Sequence, residues 1–227
     1  LSPVAKRALL TPIGLFALAL AIRLLPWPTT IESGRVVFFG MDAWYHMRRV
    51  QLALANSGWP PSFDPYVNFP HGASPIWPPL FDAIVAWILW PVHAVADWFL
   101  VEAVATLLPP VLGALCVVVL YALAKRVFDP AVARLAGLLL SVLGAHFWYS
   151  QIGFLDHHVA VALLSTGLLA SAMAVLEEAT PRRALVVGGV GGYTATAGPE
   201  RVAQVVATFW QDLVAFAPVY GAQLGDL

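Results

Sequence analysis

Charge is what this sequence has least of. Only 11% of its 227 residues are Asp, Glu, Lys or Arg, against about 25% in an ordinary soluble domain. With 60% of the chain hydrophobic, so little charge cannot cover the surface of a soluble fold of this size. The net charge of −1 leaves no basic face, which excludes nucleic acid as a partner. Cysteine is nearly absent as well. Cys116 stands alone inside an apolar run, which excludes a disulfide framework and a cysteine zinc site. There is no internal repeat and no low-complexity segment.

What the chain has is long apolar runs. Four can cross a bilayer, which takes about 20 residues: near 8–25, 103–124, 131–149 and 159–176. Lipid offers backbone groups no other partner, so these runs are read as helices. Nine tryptophans, several beside these runs, suit the membrane interface. Lys6 and Arg7 precede the first run as they would a signal peptide, but no small-residue cleavage site follows it. The chain begins with Leu1 and ends at Gly225-Asp226-Leu227, which reads as a fragment of a longer protein.

A fifth apolar stretch, Pro79 to Leu100, carries Asp82, His93 and Asp97 and is interrupted by Pro91. The basic clusters are Lys6-Arg7, then Lys125, Arg126 and Arg134, then Arg182-Arg183. The positive-inside rule puts all three in the cytoplasm only if Pro79–Leu100 does not cross. That stretch is therefore expected to lie in or dip into the outer face. Residues 26–102 become a long external region, too structured in composition for a linker, and residues 150–158 a second, short external loop. Residues 184–198 are apolar but too short to span. Val202, Val205, Val206, Phe209, Leu213 and Phe216 repeat at helical spacing and predict an amphipathic helix ending near Pro218. The expected fold is an all-α membrane protein of four to five transmembrane helices with a long structured first external loop. Its transmembrane part covers 1–198 and an amphipathic tail covers 199–227.

The polar chemistry sits in the external segments. Gly40-Met41-Asp42-Ala43-Trp44-Tyr45-His46-Met47-Arg48-Arg49 follows the first span. Phe63-Asp64-Pro65-Tyr66-Val67-Asn68-Phe69-Pro70-His71-Gly72-Ala73 and Trp77-Pro78-Pro79-Leu80 come next. Gly153-Phe154-Leu155-Asp156-His157-His158 stands at the mouth of the fourth span. Taken singly these residues have plain structural roles. Asp156 can cap the following helix, and Asp42 a helix beginning near Ala43. Asp64 before Pro65 can be a turn residue, Arg48 and Arg49 a solvated face, and His46 and His71 structural histidines. Taken together, Asp and His side chains at one membrane face can bind a divalent cation. Such a cation would neutralise a phosphate or pyrophosphate leaving group, and arginine forks suit phosphate.

These three segments, in this order and spacing, resemble the catalytic subunit of oligosaccharyltransferase in its archaeal and bacterial single-subunit form, a C-type glycosyltransferase. The resemblance covers roughly residues 8–180. It implies transfer of an oligosaccharide from a lipid-linked phosphate or pyrophosphate donor to Asn of an Asn-x-Ser/Thr sequon in an acceptor polypeptide. It further implies a Mn²⁺ or Mg²⁺ cofactor, a prokaryotic plasma membrane and an extracytoplasmic site. Asp42 corresponds to the first-loop carboxylate, Asp156 and His158 to the metal ligands of the second-loop motif, and Asp42 and Asp156 are the catalytic candidates. Arg48, Arg49, His71 and His157 are the candidates for substrate contacts. Tyr149 departs from the pattern, since relatives often carry Arg there. A later external Glu and a Trp-Trp-Asp-type motif that reads the sequon are absent from these residues. The alternatives are another polyprenyl-phosphate-sugar-dependent transferase, a transporter with Asp156, His157 and His158 lining an ion path, or an inactive membrane fragment.

Overall fold

A computed structural model of the chain describes residues 3–177 and Val186. The chain divides into two units, Leu1–Ala170 and Ser171–Leu227. Arg182, Arg183, the apolar stretch 184–198 apart from Val186, and the amphipathic helix expected around 202–216 lie outside the described residues.

Nearly all the described residues with regular structure are helical. The order is α1 (Pro3–Leu24), α2 (Trp27–Thr30), β1 (Ile31–Glu32), β2 (Arg35–Val36), α3 (Met41–Ala55), α4 (Pro79–His93), α5 (Trp98–Ala105), α6 (Leu108–Val127), α7 (Pro130–Val142), α8 (Gly144–Trp148) and α9 (His158–Glu177). Two stretches among them are long and apolar enough to cross a membrane, Trp98–Val127 and His158–Val175. Thr11–Leu24, Leu80–His93 and Pro130–Val142 are shorter apolar helices.

The apolar helices pack through small residues. Leu15 and Ala19 of α1 meet Ala114, Val117, Tyr121 and Ala124 of α6 and Ala133 of α7 in one buried cluster. Alanine and glycine at such contacts let helix backbones approach closely without a hydrophobic driving force. Gly137 of α7 has no room for more, since a Cβ there would stand 2.9 Å from Leu15 Cδ1. The starts of α5 and α7 are written in the sequence. The Asp97 carboxylate accepts from Leu100 N at 3.0 Å. Asp129 accepts from Ala131 N at 2.7 Å and Val132 N at 3.1 Å, with Pro130 in the first turn, where its missing N–H does no harm.

Two expected boundaries differ. Pro91 does not end the helix that begins at Pro79, which runs on to His93. A proline late in a helix removes one hydrogen bond and need not break it; the stop comes at Val95–Asp97, where Asp97 starts α5. With α6, that helix makes a continuous 30-residue apolar stretch, about 45 Å long, so the second span starts earlier than 103. The third expected span, 131–149, is two helices. Leu143 leaves helical geometry (φ −61°, ψ 117°), so α7 is 13 residues, about 20 Å.

A helix that ends inside the protein leaves carbonyls without partners. Here Arg23, fully buried at the end of α1, takes them. Its Nη1 donates to Ser141 O at 3.2 Å and its Nη2 to Leu140 O at 3.5 Å. The same guanidinium donates from Nε to Ser150 Oγ at 2.8 Å and from Nη2 to His146 Nδ1 at 2.6 Å. One side chain thus ties α1, the end of α7 and the loop after α8 together.

Residues 26–102 contribute most of a second buried cluster. Val36, Phe38, Met47, Val50, Leu54, Phe81, Val85 and Leu89 bury against Val101 and Leu155, so α3 and α4 pack on each other and on the start of the long α5–α6 stretch. The loop between α3 and α4 is closed by a paired bridge, Asp64 with Ala73. Asp64 Oδ1 accepts from Tyr66 N at 2.9 Å, the turn role expected of it, and the carboxylate also takes Arg48 through Nε and Nη2, each at 3.2 Å.

The segment 150–156 is pinned from three sides. Ile152 N donates to Arg23 O at 3.0 Å, and Phe39 N donates to Gly153 O at 2.9 Å. Thr30 Oγ1 donates to Ile152 O at 3.3 Å. Gly153 sits at φ +84°, and a Cβ would stand 3.0 Å from Phe39 Cδ2 and Thr30 Oγ1. Gly153→Ala is therefore expected to destabilise the protein by about 1–3 kcal/mol, read as a lower thermal midpoint in detergent. An unchanged midpoint would show that the segment relaxes freely.

Candidate metal centre

The pinned segment delivers Asp156 to the side of α3. The bond from Phe39 N to Gly153 O joins the segment that leads into α3 to the segment that leads into α9, so the two halves of the site are held together. Asp156 is 1% exposed. Three imidazole nitrogens surround its Oδ1: His157 Nδ1 at 2.7 Å, His158 Nδ1 at 2.9 Å and His46 Nε2 at 3.5 Å. All three converge on this one buried oxygen. No backbone N–H caps onto it, so the helix-cap role is not what Oδ1 does. Burial alone would raise the Asp156 carboxyl, but the imidazoles of His157, His158 and His46 outweigh it and hold the group well below the usual carboxylate range.

His46 and Arg49 are three residues apart on α3, so they share a face. Both are buried, and both turn to Asp82 of α4, which is 0% exposed. His46 Nδ1 lies 2.6 Å from Asp82 Oδ1, and Arg49 Nε lies 3.0 Å from Asp82 Oδ2. Arg49 Nη1 also donates to Trp77 O at 2.9 Å. Burial would lower the pKa of His46, but the carboxylates of Asp156 and Asp82 prevail and push it up to about 9. An imidazole held positive between two buried carboxylates marks a spot of concentrated negative charge.

Ligand-type atoms of His46, Asp156 and His157 all lie within 4.8 Å of one another. Asp42 stands in the first turn of α3, after Gly40 (φ 83°). The helix starts before it, at Met41 rather than near Ala43, so Asp42 is not the cap; its charge still favours the positive end of the helix. It is exposed and within electrostatic reach of the His158 imidazole. His158 stacks on Tyr149 with ring centres 4.8 Å apart, so the tyrosine that departs from the family pattern packs against a site histidine.

Of the substrate candidates, His157 joins the cluster, and its Nδ1 lies 3.2 Å from His46 Nε2. Arg48 is engaged by Asp64 and lies over the Tyr66 ring at 4.7 Å. Arg49 is buried on Asp82 rather than on a solvated face. His71 is exposed in the loop between α3 and α4. The residue that sequence reasoning missed is Asp82. Its signal was present: one carboxylate in the otherwise apolar run Pro79–Trp90.

The model of the family described as "Oligosaccharyl transferase STT3, N-terminal" matches residues 15–179. The dolichyl-phosphooligosaccharide-protein glycotransferase 2 of Archaeoglobus fulgidus is 34% identical over 160 residues, covering 70% of this chain and 26% of that protein. The chain thus spans about a quarter of the length of this curated relative. Among solved structures, the archaeal oligosaccharyltransferase AglB from Archaeoglobus fulgidus, in complex with an inhibitory peptide and a dolichol-phosphate, superposes with a TM-score of 0.75 at 22% identity. That match covers 86% of this chain and 24% of that one. The Archaeoglobus fulgidus oligosaccharyltransferase in complex with Zn and sulfate has a TM-score of 0.73 at 22% identity, covering 82% of this chain and 25% of that one. These likenesses show the same fold.

Proposed function

The chain belongs to the oligosaccharyl transferase STT3 family, and from that premise we propose that the protein transfers a lipid-linked oligosaccharide to asparagine in Asn-x-Ser/Thr sequons of acceptor polypeptides. In this reading it is an integral membrane protein with four to five transmembrane helices in the transmembrane part expected over 1–198. Residues 26–102 and 150–158 lie on the extracytoplasmic side of a prokaryotic plasma membrane. The donor carries its glycan on a dolichol-type phosphate or pyrophosphate, in keeping with the name of the glycotransferase relative and with the dolichol-phosphate in a structural neighbour.

The observation that carries this reading is the buried Asp156 Oδ1, on which three imidazole nitrogens converge. Ligand-type atoms of a carboxylate and two imidazoles lie within 4.8 Å of one another there. The donor set of carboxylate and imidazole suits a small divalent cation such as Mn²⁺ or Mg²⁺, and a neighbouring structure holds Zn. Asp156, Asp42 and His158 would hold the ion. When bound, it would supply positive charge against the phosphate oxygens of the leaving group. The chain's own part is to fix the carboxylates: the pinned segment 150–156 holds Asp156, and the first turn of α3 holds Asp42. His157 borders the same space and is assigned to the donor phosphate. Arg48, Arg49 and His71 are assigned to the substrate side, Arg49 through the loop it holds at Trp77.

The test is metal removal from the full-length protein in detergent. EDTA is expected to bring transfer to a fluorescent sequon peptide to background, and Mn²⁺ or Mg²⁺ to restore it. Undiminished transfer in EDTA would refute the metal-dependent reading.

A further inference from the structure

Asp82 lies outside the three sequence segments, on α4 beside Phe81, which packs edge-on against His46 at 5.3 Å, and it is fully buried and bonded to a site histidine. Its Oδ1 stands 2.6 Å from His46 Nδ1, and its Oδ2 faces Arg49 Nε at 3.0 Å. A carboxylate at that distance requires the proton on Nδ1, since two acceptors cannot approach so closely. Nε2 is then the nitrogen that faces inward, 3.5 Å from Asp156 Oδ1. A second shell of this kind sets ring orientation and tautomer at metal sites.

We infer that Asp82 is a positioning residue: with Arg49 it locks the His46 ring so that Nε2 addresses the Asp156 carboxylate, and so couples α4 to the geometry of the metal site. The inference rests on the metal reading given above. Asp82 touches neither Asp156 nor, on this view, the substrate; it acts through His46 alone. Arg49 fixes the direction of the link. With Asn at position 82, the amide oxygen would turn to the Arg49 cation and the NH₂ to His46. A protonated Nδ1 offers no lone pair to that NH₂, so the hydrogen bond that orients the ring is lost. Asp82→Asn is therefore nearly isosteric but removes the bond that fixes the His46 ring.

The experiment is Mn²⁺ binding to the full-length protein in detergent, read by EPR of free Mn²⁺, with thermal midpoints in parallel. Asp82→Asn is expected to weaken Mn²⁺ binding by about 10–100-fold, the range for second-shell partners. In a His46→Gln background the same substitution is expected to change affinity by less than about twofold, since the link it breaks is already gone and the two losses do not add. Wild-type affinity in Asp82→Asn would overturn the inference. So would an equal loss whether or not His46 is present, which is how a purely structural carboxylate behaves. Should Asp82→Asn fail to fold, His46→Gln alone reads the link from its other end. It is expected to lose the same 10–100-fold, and wild-type affinity there would overturn the inference. Asp156→Ala separates the two levels. If it still binds Mn²⁺, the metal reading itself falls; if it does not while Asp82→Asn binds normally, only the role of Asp82 falls.

Discussion

Asp156→Ala in the full-length protein is expected to lower glycan transfer to a sequon peptide by at least about 100-fold, the scale for deleting one preorganised electrostatic group from an active site. The protein should still fold. The loop that carries Asp156 is held by backbone bonds from Phe39 and to Arg23 and by Thr30, none of which uses the Asp156 side chain. A peptide-transfer assay on protein with an unchanged thermal midpoint makes the measurement. Asp42→Ala is expected to fall in the same direction. Wild-type transfer in both variants would remove the two carboxylates from the reaction.

Arg23→Leu is expected to be the most damaging substitution for stability, at about 3 kcal/mol, because it leaves buried acceptors without donors. The orphans would be Ser141 O and Leu140 O at the broken end of α7, together with Ser150 Oγ. In a chain of this size that corresponds to a fall in Tm of roughly 6–12 °C. Leucine fills much of the volume, so the loss reports the hydrogen bonds rather than a cavity. Gly113→Val attacks the same joint from α6, where a Cβ would stand 2.5 Å from Ser150 Cβ and 2.6 Å from Arg23 Nε. Because Arg23 also holds the segment leading to Asp156, transfer should fall along with stability. A variant as stable as the parent would show that α7 closes its own end.

How much of this was legible in the sequence depends on the range of the interaction. The apolar helices could be read from composition and run length, and α1 and α9 lie within a few residues of their expected bounds apart from the start of α1. The side-chain caps at Asp97 and Asp129 are local and legible. The break of α7 at Leu143 was not. Nothing in Gly-Leu-Leu-Leu-Ser-Val-Leu-Gly at 137–144 signals a stop until Arg23, 118 positions from Ser141, is known to receive the freed carbonyls. The site divides in the same way. Asp156, His157 and His158 form a short local motif, and Asp42 stands in a second one. The link from Asp82 to His46 spans 36 positions and depends on how α3 packs against α4, so each residue alone looked structural. Arg49 shows the converse. A pair of arginines in a polar segment reads as a solvated face, but helical periodicity turns the second of them inward onto Asp82.

The most direct measurement is anomalous scattering from Mn²⁺ soaked into crystals of the full-length protein. A peak in direct contact with an Asp156 oxygen, with Asp42 or His158 completing its shell, is the predicted result. A Mn²⁺ peak elsewhere, with Asp156 Oδ1 still unliganded, would contradict the assignment of this buried carboxylate as the centre of the metal site.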